Sequence, residues 1–346
     1  MRRLETLLDS ERVIHSVKTA LACLIGFMVT KSIHFDFDQW LIITILVVMC
    51  AQINVGSVIQ KSYMRFLGTL VGSLTAALVI ELFGADPLAI AVTISLAALL
   101  FSYIATGQTS YSDAGTLGAV TVTIILVGQH PTLMTASSRF IEINIGILIA
   151  AIISQFIFPI HARRHLRDLQ ATTLRQLRAY YLATFLTDQT ENESYEELDE
   201  NIAKSLATQR KLANDAKREP LGTFNINHFK QSLNSEKEIL RSISYMHHAY
   251  KASPNSKKLF STMDFLHCFH DKISEALEEL AARIEKTKTE RKTIELPTIE
   301  SVKKTIDTAR ANFKSNDIIY ADAFLFCAEV LITQLEKLIS LTAEIA

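Results

Sequence analysis

The chain has 346 residues, a net charge of -1 and 49% hydrophobic residues, which excludes a broadly basic nucleic-acid-binding protein and, as an average, describes an ordinary soluble one. The average conceals two compositions. Residues 13–160 hold eleven Asp, Glu, Lys or Arg among 148, whereas residues 161–346 hold 54 among 186, with 27 of each sign. The first part is composed for hydrocarbon and the second for water, so we divide the chain into a transmembrane domain, 1–160, and a helical domain, 161–346. Cys23, Cys50, Cys268 and Cys327 stand far apart without C-x-x-C spacing, which gives no basis for a disulfide framework or a zinc site.

In chain order, the opening residues 1–12 interleave both signs of charge with leucines, and no small-residue cleavage site follows the first apolar run. This pattern predicts an interfacial helix rather than a cleaved signal peptide. Span one covers about 13–33, with Lys18 and Lys31 near its two ends, where both can snorkel towards headgroups. Span two, 40–58, is headed by Trp40, but its apolar run stops at 51, short of the ~20 residues a crossing needs. It therefore takes in a polar end containing Gln52 and Asn54. Span three covers 66–83, and Pro87 opens span four, 87–105, at a helical position where a missing N–H costs nothing. A polar hinge with Gln108 and Tyr111 leads to span five, 115–128, which is again short. Span six, 140–160, is long enough but contains Glu142 and Asn144.

The run opened by Arg65 recurs, opened by Arg139, at an offset of 74 residues, and each copy carries a glycine seven residues on, Gly72 and Gly146. The same offset carries the start of span one onto that of span four and Trp40, at the start of span two, onto the start of span five. The expected fold is all-α, with six spans built as a three-plus-three repeat. Three is odd, so the second copy is inverted. The two shortened spans occupy matching places in the halves, which points to a binding site near the bilayer middle. Lys and Arg concentrate in the segments 1–12, 61–65 and 161–167, which predicts a cytoplasmic N-terminus and a cytoplasmic helical domain. In that orientation Arg65 lies near the inner face and Arg139 near the outer one.

Trp40 heading a short span, Arg65-x-x-Gly68-Thr69-x-x-Gly72, and Arg139-x-x-Glu142-x-x-x-Gly146 followed by Pro159 together resemble the fusaric acid resistance and aromatic acid exporter family. Plant aluminium-activated malate transporters are similar in layout. The resemblance covers about 13–159 and implies an inner-membrane protein that moves small organic anions through a six-helix domain attached to a cytoplasmic helical one. Many relatives carry that unit twice, so the resemblance also implies a homodimer in a lipid membrane. It does not name a substrate.

Arg65 and Arg139 are the main candidates for an anion site, because a guanidinium stays charged and its fork matches a carboxylate. The alternative is that each lies at a helix end and snorkels to phosphate. An arginine inside a span costs at least ~2.5–3.5 kcal/mol by insertion scales. Glu142, one turn from Arg139, is either a gate or proton carrier or a neutralising partner. The first copy has Gly68 in its place, so the two mouths are expected to differ in pH response, with the Arg139 side the sensitive one. Gly68, Gly72 and Gly146 read as close helix packing. Gln52, Asn54, Gln108, Tyr111 and Asn144 either line a polar path or satisfy one another, and Trp40 is either an interfacial anchor or a stacking platform.

Beyond 160 the pattern is that of six helices in an antiparallel bundle, near 161–188, 194–218, 227–252, 256–288, 297–315 and 317–346. His267 and Asp271 share a helix face, but no second such pair stands near to complete a metal site. No phosphate loop or catalytic triad order is present, so neither a cofactor nor an enzymatic activity is expected. Uphill export then draws on an ion gradient. A passive anion channel with the same lining, and a membrane scaffold whose helical domain docks a partner, are the alternatives.

Overall fold

A computed structural model describes residues 10–33, 39–50, 52–107, 111–128, 131–186, 192–220, 223–252, 264–285, 293–309 and 315–344. All regular structure among them is helical. The first six helices are α1 (Ser10–Ile33), α2 (Gln39–Met49), α3 (Val55–Phe83), α4 (Pro87–Thr106), α5 (Ser112–Leu126) and α6 (Leu133–Phe156). Six more follow, namely α7 (Ala162–Leu186), α8 (Asn192–Arg218), α9 (Ile226–Ala252), α10 (Asp264–Glu285), α11 (Ile299–Ala309) and α12 (Ser315–Glu344). The chain forms two compact units, Met1–Ala162 with Arg218–Gly222, and Arg163–Lys217 with Thr223–Ala346.

Local chemistry explains the helix ends of the first unit. Pro87 opens α4, and the Asp86 carboxylate accepts from the Ala89 N–H at 2.9 Å, satisfying one of the donors a helix start leaves free. At α6 the Thr132 hydroxyl accepts from the Thr135 N–H at 3.1 Å. Gly84 ends α3 at φ 60, a conformation glycine adopts without a Cβ clash.

α1, α3, α4 and α6 are each long and apolar enough to cross a membrane, while α2 and α5 are the shorter apolar helices. The helix boundaries depart from the hydropathy reading at two places: α6 runs from Leu133 to Phe156, not from 140 to 160, which puts Arg139 six residues inside it, and the α2–α3 junction differs. α2 stops at Met49 and α3 begins at Val55, not at 66. Lys61 and Arg65 lower the hydropathy there, but a helix requires only that its backbone hydrogen bonds be made, and Asn54 supplies its start by accepting from the Val58 N–H. Arg65 therefore lies roughly 15 Å inside α3 at 1.5 Å per residue, not at a helix end.

α3 and α6 pack on each other, and each also packs on a short helix, α3 on α5 and α6 on α2. Two apolar clusters result. Ala22, Leu41, Ile45, Met49, Val58 and Ala150 join α1, α2, α3 and α6. Ala76, Ala97, Val122, Ile125 and Ala136 join α3, α4, α5 and α6. α4 turns most of its surface outward, with Tyr103 82% exposed.

In the second unit α9 packs on α12, and α12 also meets α10 and α11. Arg175 of α7 reaches Glu278 of α10 at 3.2 Å. α12 is long and apolar enough to span a membrane over Ile318–Ala343, yet it buries a regular stripe through Ala321, Phe324, Ala328, Leu331, Leu335 and Leu338, as the centre of a bundle does.

A buried arginine pair of unequal surroundings

The glycines bring the central helices together. A Cβ on Gly68 would lie 2.6 Å from the Ala114 carbonyl oxygen, and one on Gly72 would lie 2.8 Å from that of Gly118. On the other side, a Cβ on Gly146 would lie 2.7 Å from the Leu41 carbonyl oxygen and 3.0 Å from Cβ of Thr44. By the 74-residue offset Gly72 corresponds to Gly146, and Gly118 to Thr44, so the α3–α5 contact and the α6–α2 contact use matching positions. Phe66 and Phe140, themselves counterparts, touch with ring centroids 6.4 Å apart.

Arg139 sits in a closed arrangement. Its Nη1 donates to Oε2 of Glu142 at 3.1 Å, Glu142 is fully buried, and the guanidinium carbon lies 5.5 Å from the centre of the Trp40 ring. Trp40, Arg139 and Glu142 are thus brought together, and the carboxylate balances the cation at once. The flanking positions on the same face of α6 are Ala136, Ile143 and Ile147, all buried.

Arg65 is 2% exposed and, among the described residues, has neither a hydrogen-bond nor an ion-pair partner. Its face of α3 carries Ser62, Thr69 and Ser73, all buried, and the hydroxyl of each lacks a partner among the described residues. These three positions correspond to Ala136, Ile143 and Ile147 of α6. Arg65 therefore shares its helix face with hydroxyls, and Arg139 shares its own with hydrocarbon and an acid.

The remaining candidates lie apart from both arginines in their contacts. The Asn144 amide donates to the Phe140 carbonyl of its own helix at 2.6 Å. Gln52 and Asn54 stand in the α2–α3 connection, where the Asn54 carbonyl accepts from the Ser57 hydroxyl and the Gln52 N–H donates to Met49. Tyr111 is exposed at the start of α5. Gln108, residues 1–9 and the side chain of His267 lie outside the described residues. Among the described residues no group of three or more His, Cys, Asp or Glu is arranged to hold a metal ion.

Two features escaped the sequence reading. Lys18 was expected to snorkel to the surface but is 1% exposed, with no partner for its Nζ among the described residues. It lies one turn before Ala22, on the face that α1 buries. The hydroxyl stripe of α3 was the other omission, although the spacing of Ser62, Arg65, Thr69 and Ser73 at three and four residues was there to be read.

Compared with known proteins, residues 12–334 match the Fusaric acid resistance protein family. The chain is 26% identical over 174 residues to the inner membrane protein YeeA of Escherichia coli (strain K12), across 50% of this chain and 49% of that protein. It is 29% identical over 170 residues to the multidrug resistance protein MdtO of the same organism, across 47% of this chain and 25% of that protein. The matched region thus amounts to about half of the first relative and a quarter of the second.

Proposed function

The chain belongs to the fusaric acid resistance protein family, and from that premise we propose that it is an inner-membrane transporter exporting small organic anions, aromatic carboxylates among them, at the expense of an ion gradient. The observation that carries this reading is Arg65, a fully buried guanidinium without a countercharge among the described residues. A buried charge left unpaired is costly, and a carboxylate arriving from outside supplies the missing partner in bidentate geometry. The names of the relatives, an inner membrane protein and a multidrug resistance protein, support membrane location and efflux.

In this reading the first unit is an inverted repeat with α1–α3 and α4–α6 as its halves. The contact between the counterparts Phe66 and Phe140 supports a pseudo-two-fold axis passing between them. An axis in the membrane plane puts both arginines near mid-bilayer, deeper than inner-face and outer-face positions. The Lys and Arg bias puts both termini and the bundle of α7–α12 in the cytoplasm, and two copies form a homodimer.

Reconstituted into liposomes, the full chain is expected to carry benzoate, and Arg65→Ala is expected to abolish that flux at unchanged protein level. Full activity of Arg65→Ala would sink the reading.

A further inference from the structure

Hydroxyls in this membrane unit fall into two groups. Those of Thr75, Thr93, Ser95 and Thr123 donate to the carbonyl four residues back on their own helix, at 2.8 to 3.0 Å. This is the usual way a serine or threonine satisfies itself inside a span. Ser62, Thr69 and Ser73 of α3 do not do so, nor do Thr44 of α2 and Ser154 of α6, and all five are at least nine-tenths buried without a partner among the described residues, but only the three on α3 share a face with Arg65. An unmet buried hydroxyl costs about 1–3 kcal/mol, so three on one stripe beside an unmet guanidinium imply partners that come from elsewhere.

The four side chains sit at successive turns on one face of α3, with rises of roughly 4.5, 6 and 6 Å between them at 1.5 Å per residue. The whole stripe extends over about half of the ~30 Å hydrocarbon core. Gly68 and Gly72 lie to one side of it, pressed on α5, and Phe66 lies to the other, against Phe140 of α6. On α6 the matching stripe is Ala136, Arg139, Ile143 and Ile147, with its cation already balanced by Glu142.

We infer that the face of α3 formed by Ser62, Arg65, Thr69 and Ser73 is a hydrated ladder that takes a single carboxylate, with Arg65 as its charged rung and the hydroxyls replacing the anion's water above and below. This rests on the reading of the chain as an organic-anion transporter and narrows it. The path belongs to one half of the repeat, and its one uncompensated cation fits a monocarboxylate. A dicarboxylate would bring a second charge that no residue of the stripe can meet.

The test uses the full chain with Cys23, Cys50, Cys268 and Cys327 replaced by alanine, reconstituted into liposomes, and single changes Ser62→Cys, Thr69→Cys and Ser73→Cys. These changes are nearly isosteric. A negatively charged, water-soluble thiosulfonate should modify all three, and should fail to modify Ala136→Cys, Ile143→Cys and the lipid-exposed Leu74→Cys. Benzoate should slow modification at Thr69→Cys, and phthalate should not. Reaction on α3 no faster than on α6 would overturn the ladder, and protection by phthalate equal to that by benzoate would overturn the monocarboxylate assignment. Thr69→Val, which keeps shape and removes one hydroxyl, should weaken benzoate binding by about three- to tenfold. If the thiols react as expected while Arg65→Ala leaves benzoate flux intact, the hydrated stripe survives and the transport reading fails. If Arg65→Ala abolishes flux while the thiols stay inert, the transport reading survives and the ladder fails.

Discussion

α3 and α6 carry an arginine at the same register, followed in each case by a glycine that lets a short helix of the other half approach within backbone contact. Their packing is alike and their electrostatics are opposed. Arg139 has Glu142 at 3.1 Å and the Trp40 ring beside it, whereas Arg65, among the described residues, has three unmet hydroxyls on its face and no acid partner. The difference teaches that two helices can share a packing pattern while one cation is closed by its own helix and the other stays short of a partner among the described residues. In the proposed function α3 is then the helix that gains an anion.

The sharpest way to break this contrast is to remove each cation in turn. Arg139→Met strands a fully buried carboxylate and should destabilise the membrane unit by about 3–5 kcal/mol, as measured by unfolding in detergent. Arg65→Met removes a buried charge with no partner to strand, so stability should hold or rise while benzoate flux disappears. Opposite signs of stability change at two positions 74 residues apart are the expected outcome. Equal losses at both would show that Arg65 also has a structural counterion.

The second unit offers the same contrast with the sign of charge reversed. Glu236 of α9 is fully buried, and it meets only neutral groups. Gln209 of α8 donates to it at 2.8 Å, Gln170 of α7 at 3.3 Å and Ser232 lies at 3.5 Å. Burial pushes its carboxyl up to about 7, and the three hydrogen bonds pull in the other direction. The folded state therefore binds this proton more tightly than the unfolded chain does. Stability from this group is present below the unfolded carboxyl range and falls as pH rises towards 7, by on the order of 3 kcal/mol in all. Glu236→Gln should flatten the dependence of unfolding on pH between about 4.5 and 7. An unchanged slope would mean that the buried carboxyl has a cationic partner.

Packing is where the halves should behave alike. Gly72→Ala drives a Cβ to 2.8 Å from the Gly118 carbonyl oxygen and Gly146→Ala drives one to 2.7 Å from that of Leu41. Backbone cannot move aside as a side-chain tip can, so each change should cost about 1–3 kcal/mol of stability. A loss confined to one of them would break the packing equivalence on which the charge comparison depends.

Much of this was legible in the chain itself. The arginine-to-arginine offset, the shortness of α2 and α5, the carboxylate one turn from Arg139 and the starts of most helices beyond 160 follow from spacing, because helical period and bilayer thickness act locally on sequence. The reach of α3 back to Val55 was hidden by Lys61 and Arg65, since hydropathy records the cost of lipid exposure and these residues lie on a helix that others cover in part. The burial of Lys18 was hidden for the same reason, because a lysine near a span edge reads identically whether it snorkels or is enclosed by neighbouring helices. Whether a serine bonds back to its own helix or turns away is a matter of rotamer. No spacing rule separates Ser73 from Thr75.

The smallest effect concerns Trp40, which the sequence left as either an interfacial anchor or a stacking platform. Its ring centre lies 5.5 Å from the guanidinium carbon of Arg139, so it faces the cation from another helix while Glu142 holds it from the same one. Ala114 stands at the matching position of the 74-residue offset and has no aromatic ring to offer Arg65. The aromatic face is thus a second element of closure found in one half. Trp40→Leu keeps an apolar side chain, though a smaller one, and removes the ring, and the loss of the ring–cation contact should cost about 0.5–2 kcal/mol. In a double-mutant cycle with Arg139→Met, most of that cost should vanish once the cation is gone, giving a coupling of about 0.5–1 kcal/mol. A coupling of zero would return Trp40 to the membrane interface and leave Glu142 alone as the group that gives Arg139 the countercharge Arg65 lacks among the described residues.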